Sequence, residues 1–239
     1  MLKDKIYNTL KLLLCLVFFF SISNITSLFL NVFNIDKNKI GLFGNTLYQF
    51  IVSFILFILL LILYKDTIKK DFKNLKKDFK NNIIYIIKTF LIFIIVKYLV
   101  SILSSIIMVL CGLGTENIVS VNQSILEDYI KAAPLLMFIS VAFLGPFYEE
   151  GIFRLAFKKV IDNKWLYIII SGSLFGILHV FPLSDGVTLP VGIIQSISYV
   201  TMGMFFSYVY YKKDNIFFTV GLHFLNNFIS VLVMLKMFF

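Results

Sequence analysis

The chain is poor in the residues that water-soluble domains use to make bonds across their folds. It has one arginine against 21 lysines, two histidines, two cysteines, one tryptophan and four prolines in 239 residues. Cys15 and Cys111 lie in or at the end of apolar runs without metal-ligand spacing, so neither a disulfide framework nor a thiolate site is expected. Charged residues make up only 15% of the chain and hydrophobic ones 59%, with 28 phenylalanines and a mean hydropathy of +0.93. That balance excludes an ordinary soluble domain. The strict period-two alternation of a membrane barrel is missing too, because the apolar runs are continuous over about 20 residues. The net charge of +9 does not point to nucleic acid, since the lysines form short clusters between apolar segments. Such clustering is topogenic, and the expected partner is the lipid bilayer.

What is present is a series of seven apolar segments, at 9–31, 46–64, 83–110, 133–157, 165–182, 188–210 and 215–235. They predict an all-α, polytopic transmembrane helical bundle of seven spanning helices, with room for an eighth because the third segment is long and carries Lys97 in its interior. The first 30 residues have the basic-then-apolar order of a signal peptide, but the apolar part is too long and lacks a small-x-small cleavage site. A retained first span is expected. The lysine-rich stretch 65–82 belongs on the cytoplasmic side, and either an amphipathic surface helix or a solvated loop satisfies its pattern. Lys3, Lys5 and Lys11, then Lys158, Lys159 and Lys164, then Lys212 and Lys213 fall on the same side by alternation. Glu116, Glu127 and Asp128 fall on the other. The N-terminus is therefore expected inside and the C-terminus outside, in a multi-pass protein of the plasma membrane. Residues 1–132 read as a transmembrane scaffold containing the basic loop 65–82, and residues 133–239 as the transmembrane core that carries the buried ionisable residues.

Against this apolar background, GPFYEEGIFR at 145–154 places two carboxylates and the single guanidinium together. Ionisable groups at such a depth are costly and usually functional. On a helix, Glu150 and Arg154 share a face at i,i+4 while Glu149 points elsewhere, which predicts a buried Glu150–Arg154 pair and leaves Glu149 for chemistry. A purely structural salt bridge between helices is the plain alternative. The two histidines, His179 and His223, both fall in later apolar segments, and Asn227 lies at i,i+4 from His223. Counting 1.5 Å per residue from the nearest lysine puts Glu149 about 13 Å, His223 about 15 Å and His179 about 22 Å deep, close enough for one layer. Gly172 and Gly176 share a face with His179 in the small-xxx-small spacing of closely packed helices. Gly145–Pro146 should bend the fourth segment and free a backbone carbonyl.

Glu149-Glu150-Gly-Ile-Phe-Arg154 matches EExxxR, Phe175 to His179 matches FxxxH, and His223 to Asn227 matches HxxxN, in that order. Over residues 145–230 the chain resembles the CPBP (CAAX protease and bacteriocin-processing, or Abi) family of intramembrane endopeptidases. The resemblance implies hydrolysis of a membrane-associated or lipidated peptide or protein by a glutamate-activated water. Glu149 would be the general base, His179 would hold and polarise the water, His223 and Asn227 would stabilise the oxyanion, and Glu150 and Arg154 would maintain the site. No cofactor is favoured. If zinc is used, its ligands would be Glu149, His179 and His223.

Other readings of the same residues are a zinc-dependent membrane protease, a transporter or channel relaying protons, and a non-proteolytic immunity protein. The lysine-, isoleucine- and asparagine-rich composition suggests an AT-rich bacterial genome. Maturation of bacteriocin, leader or signalling peptides, or self-immunity, is then a more natural role than processing of prenylated CAAX proteins.

Overall fold

A computed structural model of the chain describes residues 2–32, 40–113, 121–181, 183 and 187–238, so the expected outer-face residue Glu116 lies outside the described residues. Those residues form helices joined by short turns, with no strand among them. We label the helices α1 (Leu2–Val32), α2 (Gly41–Lys77), α3 (Phe79–Leu110), α4 (Val121–Ala132), α5 (Pro134–Ala156), α6 (Lys164–Leu178), α7 (Leu189–Lys213) and α8 (Ile216–Phe238). Each of the seven apolar segments falls on one of them. α2, α3, α5, α7 and α8 are long and apolar enough to cross a membrane, and α6 is a shorter apolar helix. On α3, Leu91, Ile95, Leu99 and Ile102 are all more than half exposed, as side chains in contact with lipid would be. The molecule is a polytopic helical bundle.

Two expectations are resolved by the backbone. The 65–82 stretch is neither a loop nor a separate surface helix: α2 bends at Tyr64, whose φ/ψ of −120°/20° is non-helical, and then continues to Lys77. Ile68 and Leu75 are buried along this extension, whereas Phe72 and Phe79 are not, so only part of the predicted apolar face is used. Asp71 explains why it docks. Its carboxylate accepts from the Ile216 N–H at 3.0 Å, and its carbonyl accepts from Asn215 Nδ2 at 2.7 Å. Asp71 thus caps the first turn of α8 from another helix. The third segment, where Lys97 left room for a break, is one unbroken helix. The additional short helix is α4, which follows it.

α6 and α7 pack without an intervening side-chain layer. A Cβ on Gly172 would sit 2.5 Å from Met204 N, one on Gly176 2.2 Å from Val200 N, and one on Gly203 2.3 Å from Gly172 O. The glycine spacing therefore marks true backbone contact.

α5 departs from α-geometry twice, at Ile139–Leu144 and at Gly151–Ala156, where it widens into π-turns on either side of the Gly145–Glu150 turn. The first widening follows from proline chemistry. The Gly145 N–H reaches back five residues to Ser140 O, and the next rung in that register would run from residue 146 to Val141 O. Pro146 has no N–H, so the Val141 carbonyl loses its helical partner.

Candidate active site

Glu149, His179, His223 and Asn227 all line one cavity of about 500 Å³. Three helices bring them there. α5 supplies Glu149, the C-terminal end of α6 supplies His179, and the second turn of α8 onward supplies His223 and Asn227. Glu149 Oε2 is 3.8 Å from His179 Nε2 and 3.8 Å from His223 Nε2, and it accepts no hydrogen bond among the described residues.

The partners of the two rings place a proton on each Nδ1. His179 Nδ1 is 2.8 Å from the Phe175 carbonyl, which can only accept, so Nδ1 carries the proton and donates. His223 Nδ1 donates in the same way to Glu150 Oε1 at 3.0 Å. Each imidazole consequently turns its Nε2 towards the Glu149 carboxylate. The FxxxH spacing has a clear structural origin: the carbonyl of Phe175 holds His179, and its ring lies 4.3 Å from that imidazole, tilted by 42°. Tyr199 of α7 stacks on His179 at 5.1 Å.

Behind this layer lies the Glu150–Arg154 pair, with Arg154 Nε 3.0 Å from Glu150 Oε2 and both side chains fully buried. Arg154 Nη1 also donates to Ser171 Oγ at 3.2 Å, and its guanidinium lies 4.7 Å above the Phe175 ring. Ser171 in turn donates to the Phe153 carbonyl and meets Ser207 at 3.0 Å. The guanidinium therefore ties α5 to α6, a geometry that a lysine could not reproduce. Glu150 also connects this network to His223.

Asn227 does two things. Its Nδ2 donates to the orphaned Val141 carbonyl at 2.9 Å, and its Oδ1 accepts from Asn226 Nδ2 at 2.9 Å. Asn226 Oδ1 accepts from Lys97 Nζ at 2.8 Å. A chain of side-chain bonds thus runs from α3 through α8 to the π-turn that precedes Glu149. Lys97 and Asn226 were not among the predicted site residues. Their signals were a solitary charge inside an apolar segment and a second asparagine beside Asn227.

The side chains that could hold a metal are Glu149, His179 and His223, and both imidazoles have the outer partners that ligating histidines use. As arranged, no group of three His, Cys, Asp or Glu side chains among the described residues is close enough to chelate an ion.

Residues 131–229 match the family model described as "Type II CAAX prenyl endopeptidase Rce1-like". An "Uncharacterized protein" of Mycoplasma capricolum is 29% identical over 219 residues, covering 85% of this chain and 62% of the relative, so the chain spans less than two thirds of that protein. A Bacillus subtilis protein named "Putative membrane peptidase YdiL" is 26% identical over 190 residues, covering 78% of this chain and 71% of the relative. No solved structure matches this chain.

Proposed function

We propose that this chain, which belongs to the CPBP family, is an intramembrane endopeptidase that hydrolyses a membrane-associated or lipidated peptide with a water activated by Glu149. The observation that carries this reading is the convergence of Glu149, His179 and His223 in one cavity, with Glu149 Oε2 unbonded and facing both rings. The Glu149 carboxylate and His179 Nε2 can both accept from a water held between them.

In the first step Glu149 takes a proton from water while the water oxygen bonds to the scissile carbonyl carbon, with His179 Nε2 accepting the second water hydrogen. The carbonyl oxygen becomes an oxyanion. One Asn227 amide hydrogen is committed to Val141, and the other is available to this oxygen. Donation from His223 Nε2 requires the doubly protonated ring, whose charge the adjacent Glu150 carboxylate balances. In the second step the C–N bond breaks as Glu149 returns the proton to the leaving nitrogen, giving an amine and a new carboxyl group. Glu150 and Arg154 take no part in bond making and hold His223 and the helix seam in place.

A zinc-dependent reaction is the second reading, favoured by the Nδ1 partners of both histidines. Glu149, His179 and His223 would hold the ion, which would supply Lewis-acid activation of water. Purified protein in nanodiscs, offered a quenched fluorescent lipopeptide library, separates the two. Turnover by wild type that survives a strong zinc chelator and is lost in Glu149→Gln supports the glutamate mechanism. Loss on chelation with recovery on zinc supports the metal, and undiminished turnover by Glu149→Gln rejects Glu149 as the base.

A further inference from the structure

The catalytic layer is closed on one side and open on the other. Towards the end of the bundle that carries Lys158, Lys159, Lys164, Lys212 and Lys213, the space behind Glu149 and His223 is filled. Glu150, Arg154, Tyr167, Ser171, Ser207 and Leu222 there are all fully buried. The N-terminus of α1 belongs to this same end, since Lys5 pairs with Asp162 at 2.7 Å. So does the lysine-rich extension of α2, through the bonds of Asp71 to the α7–α8 turn.

The cavity extends the opposite way on every helix that lines it. On α3 it runs from Lys97 through Ser101 and Ser104 towards the C-terminal end. On α8 it runs from His223 to Ser230 and Met234, and on α5 it runs backwards from Glu149 to Ser140 and Met137. Tyr129 of α4, at the far end, completes the wall. The described lysines at this end are Lys131 and Lys236. Ser104 Oγ and Ser140 Oγ are buried in the lining with no hydrogen-bond partner. Hydroxyls placed so can each serve a peptide amide or carbonyl of an extended chain.

Lysine enrichment marks the cytoplasmic side. From these three observations, the filled basic side, the one-directional cavity and the lysine asymmetry, we propose that the active site is entered from the extracytoplasmic face. Its substrate is then an exported or outer-leaflet-anchored peptide, and not a lipidated protein of the cytoplasm. The substrate class rests on the protease reading above, whereas the side of entry does not.

The test uses the full chain in intact cells, in a Cys15→Ala/Cys111→Ala background. Single cysteines are placed in the cavity, at Ser104→Cys and Ser230→Cys, and on the basic extension, at Lys73→Cys. A charged, membrane-impermeant maleimide should modify either cavity cysteine in intact cells and modify Lys73→Cys only after permeabilisation. Cavity cysteines that react only after permeabilisation, or not at all, would overturn entry from outside, as would Lys73→Cys reacting in intact cells. In parallel, an impermeant quenched peptide pool is added to intact and permeabilised cells with wild type or Glu149→Gln. Glu149-dependent cleavage by intact cells is expected, and cleavage restricted to permeabilised cells overturns the substrate class. Outside labelling with no cleavage in either preparation removes the substrate class together with the protease reading and leaves the side of entry standing.

Discussion

Asn227 on α8 donates its amide to the carbonyl of Val141 on α5, 86 residues away, at 2.9 Å. That carbonyl has lost its helical partner because the next rung of the π-turn begins at Pro146. The asparagine therefore satisfies a backbone group just ahead of the turn bearing Glu149, in addition to any contact with substrate.

A double-mutant cycle isolates this role. Asn227→Ala should destabilise the protein by about 1–3 kcal/mol, the cost of an unsatisfied buried carbonyl. In a Pro146→Ala background residue 146 regains an N–H, and most of that loss should vanish in thermal unfolding. Equal losses in both backgrounds would mean that Asn227 does not serve the carbonyl.

Glu149 and Arg154 should separate chemistry from folding. Glu149→Gln is nearly isosteric at a side chain that holds no hydrogen bond through Oε2, so turnover should fall by about 10²–10⁴-fold with the melting temperature unchanged. Arg154→Lys keeps the charge but loses the fork that reaches both Glu150 and Ser171. Folded yield should drop, with a stability loss of about 1–3 kcal/mol. A well-folded Arg154→Lys protein lacking only activity would move Arg154 into the chemistry.

Asp71 lies far from the cavity yet caps the helix that carries His223 and Asn227. Asp71→Ala should cost about 0.5–2 kcal/mol, and hydrogen exchange should rise first in the opening turn of α8. Asp71→Asn keeps an acceptor and should retain most of the stability. An Asp71→Ala protein of wild-type stability would show the cap to be dispensable.

The candidate catalytic layer was legible because its residues are rare in this chain. One arginine, two histidines and one pair of adjacent glutamates in apolar segments could be placed by helical phase and depth alone. The glycine spacing in α6 was legible for the same reason: a period needs no tertiary information. Lys97 was seen only as a reason to doubt a helix, because its partner Asn226 lies 129 residues away and no local pattern links them. The 65–82 stretch was ambiguous because its docking depends on one aspartate meeting the turn before α8. The widening of α5 was half legible. Gly145–Pro146 announced a freed carbonyl, but which one, and what would satisfy it, depended on the π register and on a neighbouring helix.

Gly203→Ala and Gly172→Ala should each cost about 1–3 kcal/mol, since the added methyl meets backbone atoms that cannot move aside. Gly112→Ala is not a neutral control despite open space around it, because its φ of +67° itself disfavours a side chain. Circular dichroism melts of Gly172→Ala indistinguishable from wild type would show that the α6–α7 seam can open by several tenths of an ångström.

That seam also has a mechanical meaning. Where two helices touch backbone to backbone there are no long side chains to slide or change rotamer, so α6 and α7 move as a single plate bearing His179 and Tyr199. Widening the cavity to admit a chain would then fall to its other walls, where helices meet through side chains that can swing. The cavity then has a fixed jaw and a compliant one, and His179, the residue proposed to hold the water, is mounted on the fixed jaw.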